Sequence, residues 1–374
     1  MRLPIFKLED YFSQWEFKAR YLLCSSDSES WLQREILSFS DSECLQLWDT
    51  LSLGYTETHG RPVLREEIAK QYSKIKAHEI LTTAGAEEGI FATMQTLISP
   101  NDHVIAITPC YQSFVSIPQS LGADVTAIAL DESQGWKLDI EKLKAEVKPT
   151  TKLIVLNFPH NPTGALIDKE TLMSIIDLAR THGLYILSDE VYRLLELDAT
   201  LRLPPVADLY EKGISINVMT KAFGLGGLRV GWLASQDRKF LKQAEQTKHY
   251  LSIANSGPSE ILALMALRAQ ETILTRNLSI IAANFATLCK FFATYSALFS
   301  WQAPKGGCIG FVKLANHIDG STFFKELVEE EGVLLLPGSI YDYSDSYFRI
   351  GFGRKNMPEA LALFEHFIQK KKLV

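Results

Sequence analysis

Lys221 and Arg229 stand eight residues apart in "MTKAFGLGGLRVGW", surrounded by apolar and glycine neighbours. Burial disfavours an ammonium ion, so a lysine in such company is expected to titrate below about 10.4 and to act as a nucleophile toward an aldehyde. Arg229 keeps its proton and so needs an anion, for which a phosphate is the natural candidate. Other chemically capable residues stand where apolar runs end. "YILSDEVY" brings out Asp189, a carboxylate that needs a partner if desolvated, and Tyr192 three residues later. "NFPHNPTG" offers the Asn161 amide as a donor to a planar ligand. "TTAGAEEG" runs from a strand straight into a helix, so the N–H groups of Ala86 and Glu87 point outward with the helix dipole behind them, a geometry suited to phosphate. Tyr111 in "TPCYQSF" presents a ring for stacking.

Taken singly, a turn aspartate, a tight turn, a packed ring or a surface lysine accounts for each feature at least as well. Together they describe a pyridoxal 5'-phosphate site. Ala86, Glu87, Thr220 and Arg229 would seat the phosphate, and Tyr111 would stack on the ring. Asn161 and Tyr192 would meet the ring oxygen, Asp189 the ring nitrogen, and Lys221 would form the Schiff base.

These groups must be placed by a scaffold, and its periodicity is legible. Apolar strand runs ("HVIAI", "DVTAIAL", "KLIVLN", "LYILSD", "SINVMT", "LRVGWLA") alternate with amphipathic helical runs such as "EEGIFATMQTLI" and "KETLMSIIDLARTH". Such alternation predicts an α/β fold with a mostly parallel sheet covered by helices on both faces, whose ligands bind at the carboxyl ends of the strands. Beyond residue 256 long helical stretches and three short strands predict a smaller α+β unit. The expected division is 1–47, joining the small domain; 48–255, the large cofactor-binding domain; and 256–374, the small C-terminal domain.

Bulk composition narrows the function classes. A chain of 374 residues is long for one hydrophobic core. A net charge of −6 offers no basic surface for nucleic acid. The N-terminus becomes charged before a signal-like stretch develops, and no apolar run approaches the roughly 20 residues of a membrane span, so a cytoplasmic location with no membrane partner is expected. Five scattered cysteines, with no pair at C-x-x-C spacing, read as free thiols and suggest no metal site.

The motifs "GYTETHGRPVLREEIA", "AGAEEG", "NFPHNPTG", "SDEVY", "TKAFGLGGLRVGW", "PKGG" and "YFRIGFG" occur in the order and at the spacing of the class I/II aminotransferases of fold type I, and the chain resembles that family from about residue 54 onward. The resemblance implies that Lys221 holds the cofactor and then shuttles the proton at the substrate Cα. It implies that Asp189 keeps the pyridine nitrogen protonated, that Tyr192 and Asn161 partner the ring hydroxyl, and that Arg229 and Thr220 hold the phosphate. Tyr55 would reach the phosphate of a neighbouring subunit, making the protein a homodimer, and Arg349 would grip the substrate α-carboxylate.

The chain departs from the family pattern at Val218, where a serine is common, at Glu260, where a glutamine is common, and in "LLCSSDSESW", which replaces a glycine-bearing segment. Its opening residues are similar to those of the capreomycidine synthases, a cyclising branch of the same fold. The expected activity is amino transfer between an L-amino acid and a 2-oxo acid by a ping-pong cycle; the alternative is a β-eliminating or cyclising lyase. A cofactor-binding regulatory module is disfavoured by the lack of a basic helix-turn-helix. With Arg349 as the one clear carboxylate clamp, a neutral or apolar amino acid is the expected substrate.

Overall fold

The computed structural model describes residues 2–373. Its strands are, in chain order, β1 (Tyr21–Leu22), β2 (Ile80–Thr83), β3 (His103–Thr108), β4 (Asp124–Ala129), β5 (Thr151–Asn157), β6 (Tyr185–Asp189), β7 (Gly213–Val218) and β8 (Gly231–Ala234). The C-terminal third adds β9 (Phe299–Trp301), β10 (Ile309–Leu314), β11 (Val333–Leu334), β12 (Leu336–Pro337) and β13 (Tyr347–Gly351).

The seven strands β2 to β8 form one sheet in the order β2-β8-β7-β6-β5-β3-β4, in which β8 alone runs antiparallel to its neighbours. Continuous apolar runs such as "LIVL" suit strands covered on both faces, and β7 is buried along its whole length. Between β3 and β5 the strand order reverses, so the crevice at their carboxyl ends is where a ligand of this architecture fits. The register sets Asn157 beside Asp189 and Asp189 beside Ile216. The carboxyl ends of three neighbouring strands thus meet at one edge.

The covering helices follow local rules. Lys169–His182 starts on Asp168, whose carboxylate accepts from the Thr171 N–H, and stops at left-handed Gly183. Leu172, Ile175, Ile176 and Ala179 bury one face of it at i, i+3, i+4, i+7 spacing. Ser113–Ser120 is helical although it contains Pro118, as expected.

A second, antiparallel sheet has the order β12-β13-β10-β9, with Arg349 central in β13 between Phe311 and Leu336. The N-terminal segment enters the C-terminal part through β1, which pairs in parallel with β11 as a separate two-stranded sheet. The expectation that no segment would be long and apolar enough to span a membrane needs correction, since the helix Gln270–Thr294 meets that test of length and composition. In the fold its buried side chains, among them Ile273, Ile281, Leu288 and Phe291, pack into the larger core cluster. Its hydropathy is thus used as a core face.

Candidate active site

Between the two sheets lies a cleft with about 350 Å³ of open space, and ten of the eleven residues singled out from sequence bear on it. Ala86, Glu87, Tyr111, Asn161, Asp189, Tyr192, Thr220, Lys221, Arg229 and Arg349 all line its wall. Tyr55 does not. It is 93% exposed and borders a separate groove formed by 52–56 and 252–258.

Lys221 follows β7, and its Nζ donates to Ser26 Oγ at 2.9 Å, 5.7 Å from the centre of the Tyr192 ring. Burial lowers its pKa and the nearby Arg349 adds to the effect, while Asp27, Cys308 and Asp189 oppose it. Asp189 ends β6, where its carboxylate accepts the Val191 N–H at 3.1 Å. Burial pushes its pKa up to about 7 against that hydrogen bond and the Lys221 charge. The adjacent Glu190 turns the other way, accepting from Val206 N and Ser215 Oγ, both at 2.8 Å, and so braces the turn. Tyr192 is 1% exposed, and its hydroxyl lies near Ser26 without a well-formed hydrogen bond. Burial raises its pKa.

The anion seat is built from backbone. Gly85, at φ +87°, caps the helix Ala86–Leu97, whose first N–H groups have no acceptor within the helix. A Cβ on Gly85 would stand 2.5 Å from Arg229 Nη2, so only glycine permits this approach. Arg229 was expected within a strand. It instead precedes β8 in the left-handed region at φ 52°, which turns its guanidinium back over the helix terminus. There its contacts to Gly226 O (3.4 Å) and Ala84 O (3.5 Å) are long. Gly224 makes room for the N-terminal segment, since a Cβ there would lie 2.4 Å from Glu29 O.

Arg349 is 1% exposed. Nε and Nη2 donate to Cys24 O at 3.1 and 2.9 Å, and Nη1 donates to the Tyr341 hydroxyl at 2.6 Å and to Asn161 Oδ1 at 3.4 Å. The Tyr341 hydroxyl in turn donates to Asn161 Oδ1 at 2.9 Å. One Nη2 N–H stays uncommitted, and a bidentate carboxylate would also take the Nη1 proton from the long Asn161 contact.

Sequence reasoning passed over several lining or supporting residues. Asn157 holds the site's turn together, donating to Asp189 O and accepting from Asn161 N. Its position at the end of "LIVLN" was a signal. Ser26, Asp27 and Cys24 belong to the unusual N-terminal segment, whose run of hydroxyls gave no indication of what it faces. Tyr341 and the Asp27–Arg354 pair at 2.7 Å had no local signature. Among the N-terminal aromatics, Tyr11 donates to Leu335 O and Phe17 is exposed, whereas Phe12 lines the cleft.

The residues fit pyridoxal phosphate on chemical grounds. A buried carboxylate without a cationic contact, a buried phenol without a well-placed partner, a lysine of lowered pKa and a helix-terminus anion seat are each incomplete alone. Each lacks one of the groups that the cofactor carries: a protonated ring nitrogen, a ring hydroxyl, an aldehyde and a phosphate.

Fold and cleft together define a fold-type I enzyme dependent on pyridoxal phosphate. The chain belongs to the family described as aminotransferase class I and II, whose model matches residues 28–363, and it is a pyridoxal-phosphate-dependent aminotransferase. A solved pyridoxal-phosphate-dependent aminotransferase from Streptococcus suis 89-1591 is similar with a TM-score of 0.93 and 32% identity, covering 99% of each chain. Capreomycidine synthase of Streptomyces vinaceus is 28% identical over 358 residues, 94% of this chain and 90% of that one. An aspartate aminotransferase of Thermotoga maritima is 28% identical over 329 residues, 85% of this chain and 84% of the other.

Proposed function

We propose the following division of labour for transfer of an amino group between an L-amino acid and a 2-oxo acid. Pyridoxal phosphate supplies an aldehyde that condenses with an amine and a ring that accepts the electron pair left at Cα. Lys221 carries the covalent hold and, once its amine is free, takes the proton from the substrate Cα and returns it on the other side of the reaction. Its lowered pKa supports this, because the neutral form is the base. Asp189 pairs with the ring nitrogen, Asn161 and Tyr192 with the ring hydroxyl, and Tyr111 lies against the ring. The Ala86 and Glu87 N–H groups, Thr220 and Arg229 hold the phosphate, and Arg349 orients the α-carboxylate so that the Cα–H faces Lys221.

The observation that carries this reading is the convergence of Lys221, Asp189, Tyr192 and Arg229 on one cleft from the ends of different strands. Large and small domains with boundaries at 47 and 255 fit the two sheets. The exposed side chains Leu53, Tyr55, Tyr250 and Ile253 support a homodimer in which Tyr55 of one chain completes the site of the other. A cytoplasmic location accords with five free cysteines, Cys24, Cys44, Cys110, Cys289 and Cys308.

Likeness to capreomycidine synthase over 94% of the chain favours a second reading, an eliminating or cyclising reaction in the same cleft. The test is to mix the loaded enzyme with a panel of amino acids. Conversion to the pyridoxamine form with release of a 2-oxo acid supports transfer. Loss of a β-substituent without that conversion would replace it with elimination.

A further inference from the structure

We infer that the substrate side chain ends in a cation, an ammonium or guanidinium on an aliphatic stem; this rests on the cleft reading above, with Arg349 on the α-carboxylate. Charge in the cleft is unbalanced once those roles are assigned. Lys221, Asp189 and Arg229 serve the cofactor, Arg349 serves the α-carboxylate, and Arg354 is already paired with Asp27. Glu9, Glu16 and Glu87 remain, all lining the cleft and none in an ion pair with a described residue.

Their placement is specific. Glu9 and Glu16 are separated by two helical turns, so the helix Lys7–Trp15 and its C-cap present both from one side, with Leu8 and Phe12 on the same wall. That wall alternates apolar contact for a stem with carboxylates for a charged head. Glu87 adds an independent sign of a missing partner. Its Oε1 accepts from Ser113 Oγ at 2.6 Å, while Oε2 is shut off from solvent with no hydrogen bond. A buried carboxylate oxygen without a donor is costly and calls for one. Burial raises the pKa of both Glu16 and Glu87, and Glu9 raises each further by like-charge repulsion, joined by Asp27 at Glu16; Arg354 offsets part of this at Glu16 and the Ser113 hydrogen bond part of it at Glu87, and an incoming cation would relieve the rest.

A neutral or apolar side chain, the expectation from sequence, would leave Glu87 Oε2 unpaired, and a dicarboxylic substrate would bring a fourth negative charge to this wall. The second arginine that a dicarboxylic substrate would need is present as Arg354, but Asp27 occupies it.

The test uses the cofactor-free protein and reduced N-phosphopyridoxyl conjugates of L-ornithine, L-norleucine and L-glutamate, which carry cofactor and side chain together but cannot react. Calorimetry should show the ornithine conjugate binding at least about tenfold more tightly than the norleucine conjugate, with the glutamate conjugate weakest. In Glu9→Gln/Glu16→Gln the ornithine and norleucine conjugates should bind within about twofold of each other. Norleucine or glutamate equalling ornithine in the wild-type protein overturns the cationic subsite while leaving the cofactor site intact. An ornithine preference that survives in the double variant overturns its assignment to Glu9 and Glu16. Failure of every conjugate to bind overturns the cleft reading itself, and this inference with it. An arginine conjugate in place of ornithine distinguishes guanidinium from ammonium.

Discussion

Lys248 and Lys221 both have pKa values lowered by burial, and they illustrate opposite uses of it. Lys248 is 0% exposed, and its Nζ donates to Thr58 O, Thr82 O and Asn255 Oδ1 at 2.8, 2.7 and 2.7 Å, so all three N–H bonds of the ammonium are met. Burial lowers its pKa to about 8 even so. Lys221 has one hydrogen bond, to Ser26, and faces open space. Lys248 ties the loop bearing Tyr55 to the loop at Asn255. Lys221 is left under-coordinated, and the unmet bonding capacity is what a ligand uses. A buried charge with every donor satisfied is architecture; one with donors spare, beside a cavity, is chemistry.

The contrast can be broken first at its stronger end. Lys221→Ala should lower kcat by at least about 10⁴-fold and abolish the borohydride-reducible cofactor link, with unfolding stability changed by no more than about 1 kcal/mol. A variant that is still covalently labelled sinks the assignment of Lys221. Lys248→Met should do the converse, costing about 3–5 kcal/mol in denaturant unfolding because three acceptors lose their partner, while the cofactor link still forms. Relative to this variant, the wild-type protein should gain stability as pH rises from about 8 toward about 10. The folded state there binds fewer protons than an unfolded lysine at about 10.4, so deprotonation favours folding. An unchanged unfolding midpoint would make the three hydrogen bonds irrelevant.

Asp189→Asn sharpens the chemical side of the comparison, with an expected loss on the order of 10²-fold in kcat. In the cofactor-free protein the same change should remove a pH dependence. A carboxyl raised to about 7 makes the folded state bind the extra proton, so the wild type loses stability as pH rises from about 4 to about 7 and the variant does not. Parallel pH profiles for the two proteins would deny that Asp189 is desolvated. The smallest effect is expected from Ser26→Ala. Losing the one hydrogen bond to Lys221 should change kcat only a few-fold and lower the pH at which the free amine titrates in the cofactor-free protein, as followed by its rate of acylation. A large collapse of activity would make Ser26 more than a support.

Much of the large sheet was readable because continuous apolar runs and 3.6-residue periodicity are local properties. β5, β6 and β7 fall on "KLIVLN", "LYILSD" and "SINVMT", and the residues at or just beyond their ends supply Asn161, Asp189 and Lys221. The helix-terminus seat at Ala86 was equally local, since "TTAGAEEG" carries its own strand, glycine and helix. The wall opposite was not legible. Leu8, Glu9, Phe12 and Glu16 form an ordinary amphipathic helix in sequence, and nothing within it says that one face will be turned toward Lys221, more than two hundred positions away. The same is true of Cys24, whose carbonyl oxygen takes two N–H groups of Arg349.

Arg229 marks the boundary between the two kinds of information. That an arginine eight residues after Lys221 needs an anion follows from the permanent charge of a guanidinium and its apolar neighbours alone. That it precedes the strand at φ 52° is seen only in the fold, and its guanidinium comes within 3.5 Å of Ala84 O where Gly85 has no side chain to block it. Sequence by itself determined the cofactor chemistry, because residue types at strand ends carry it. The tertiary structure alone decided which charges stay unpaired, and therefore what the cleft would select, because pairing is a matter of distance between segments that the chain does not hold together.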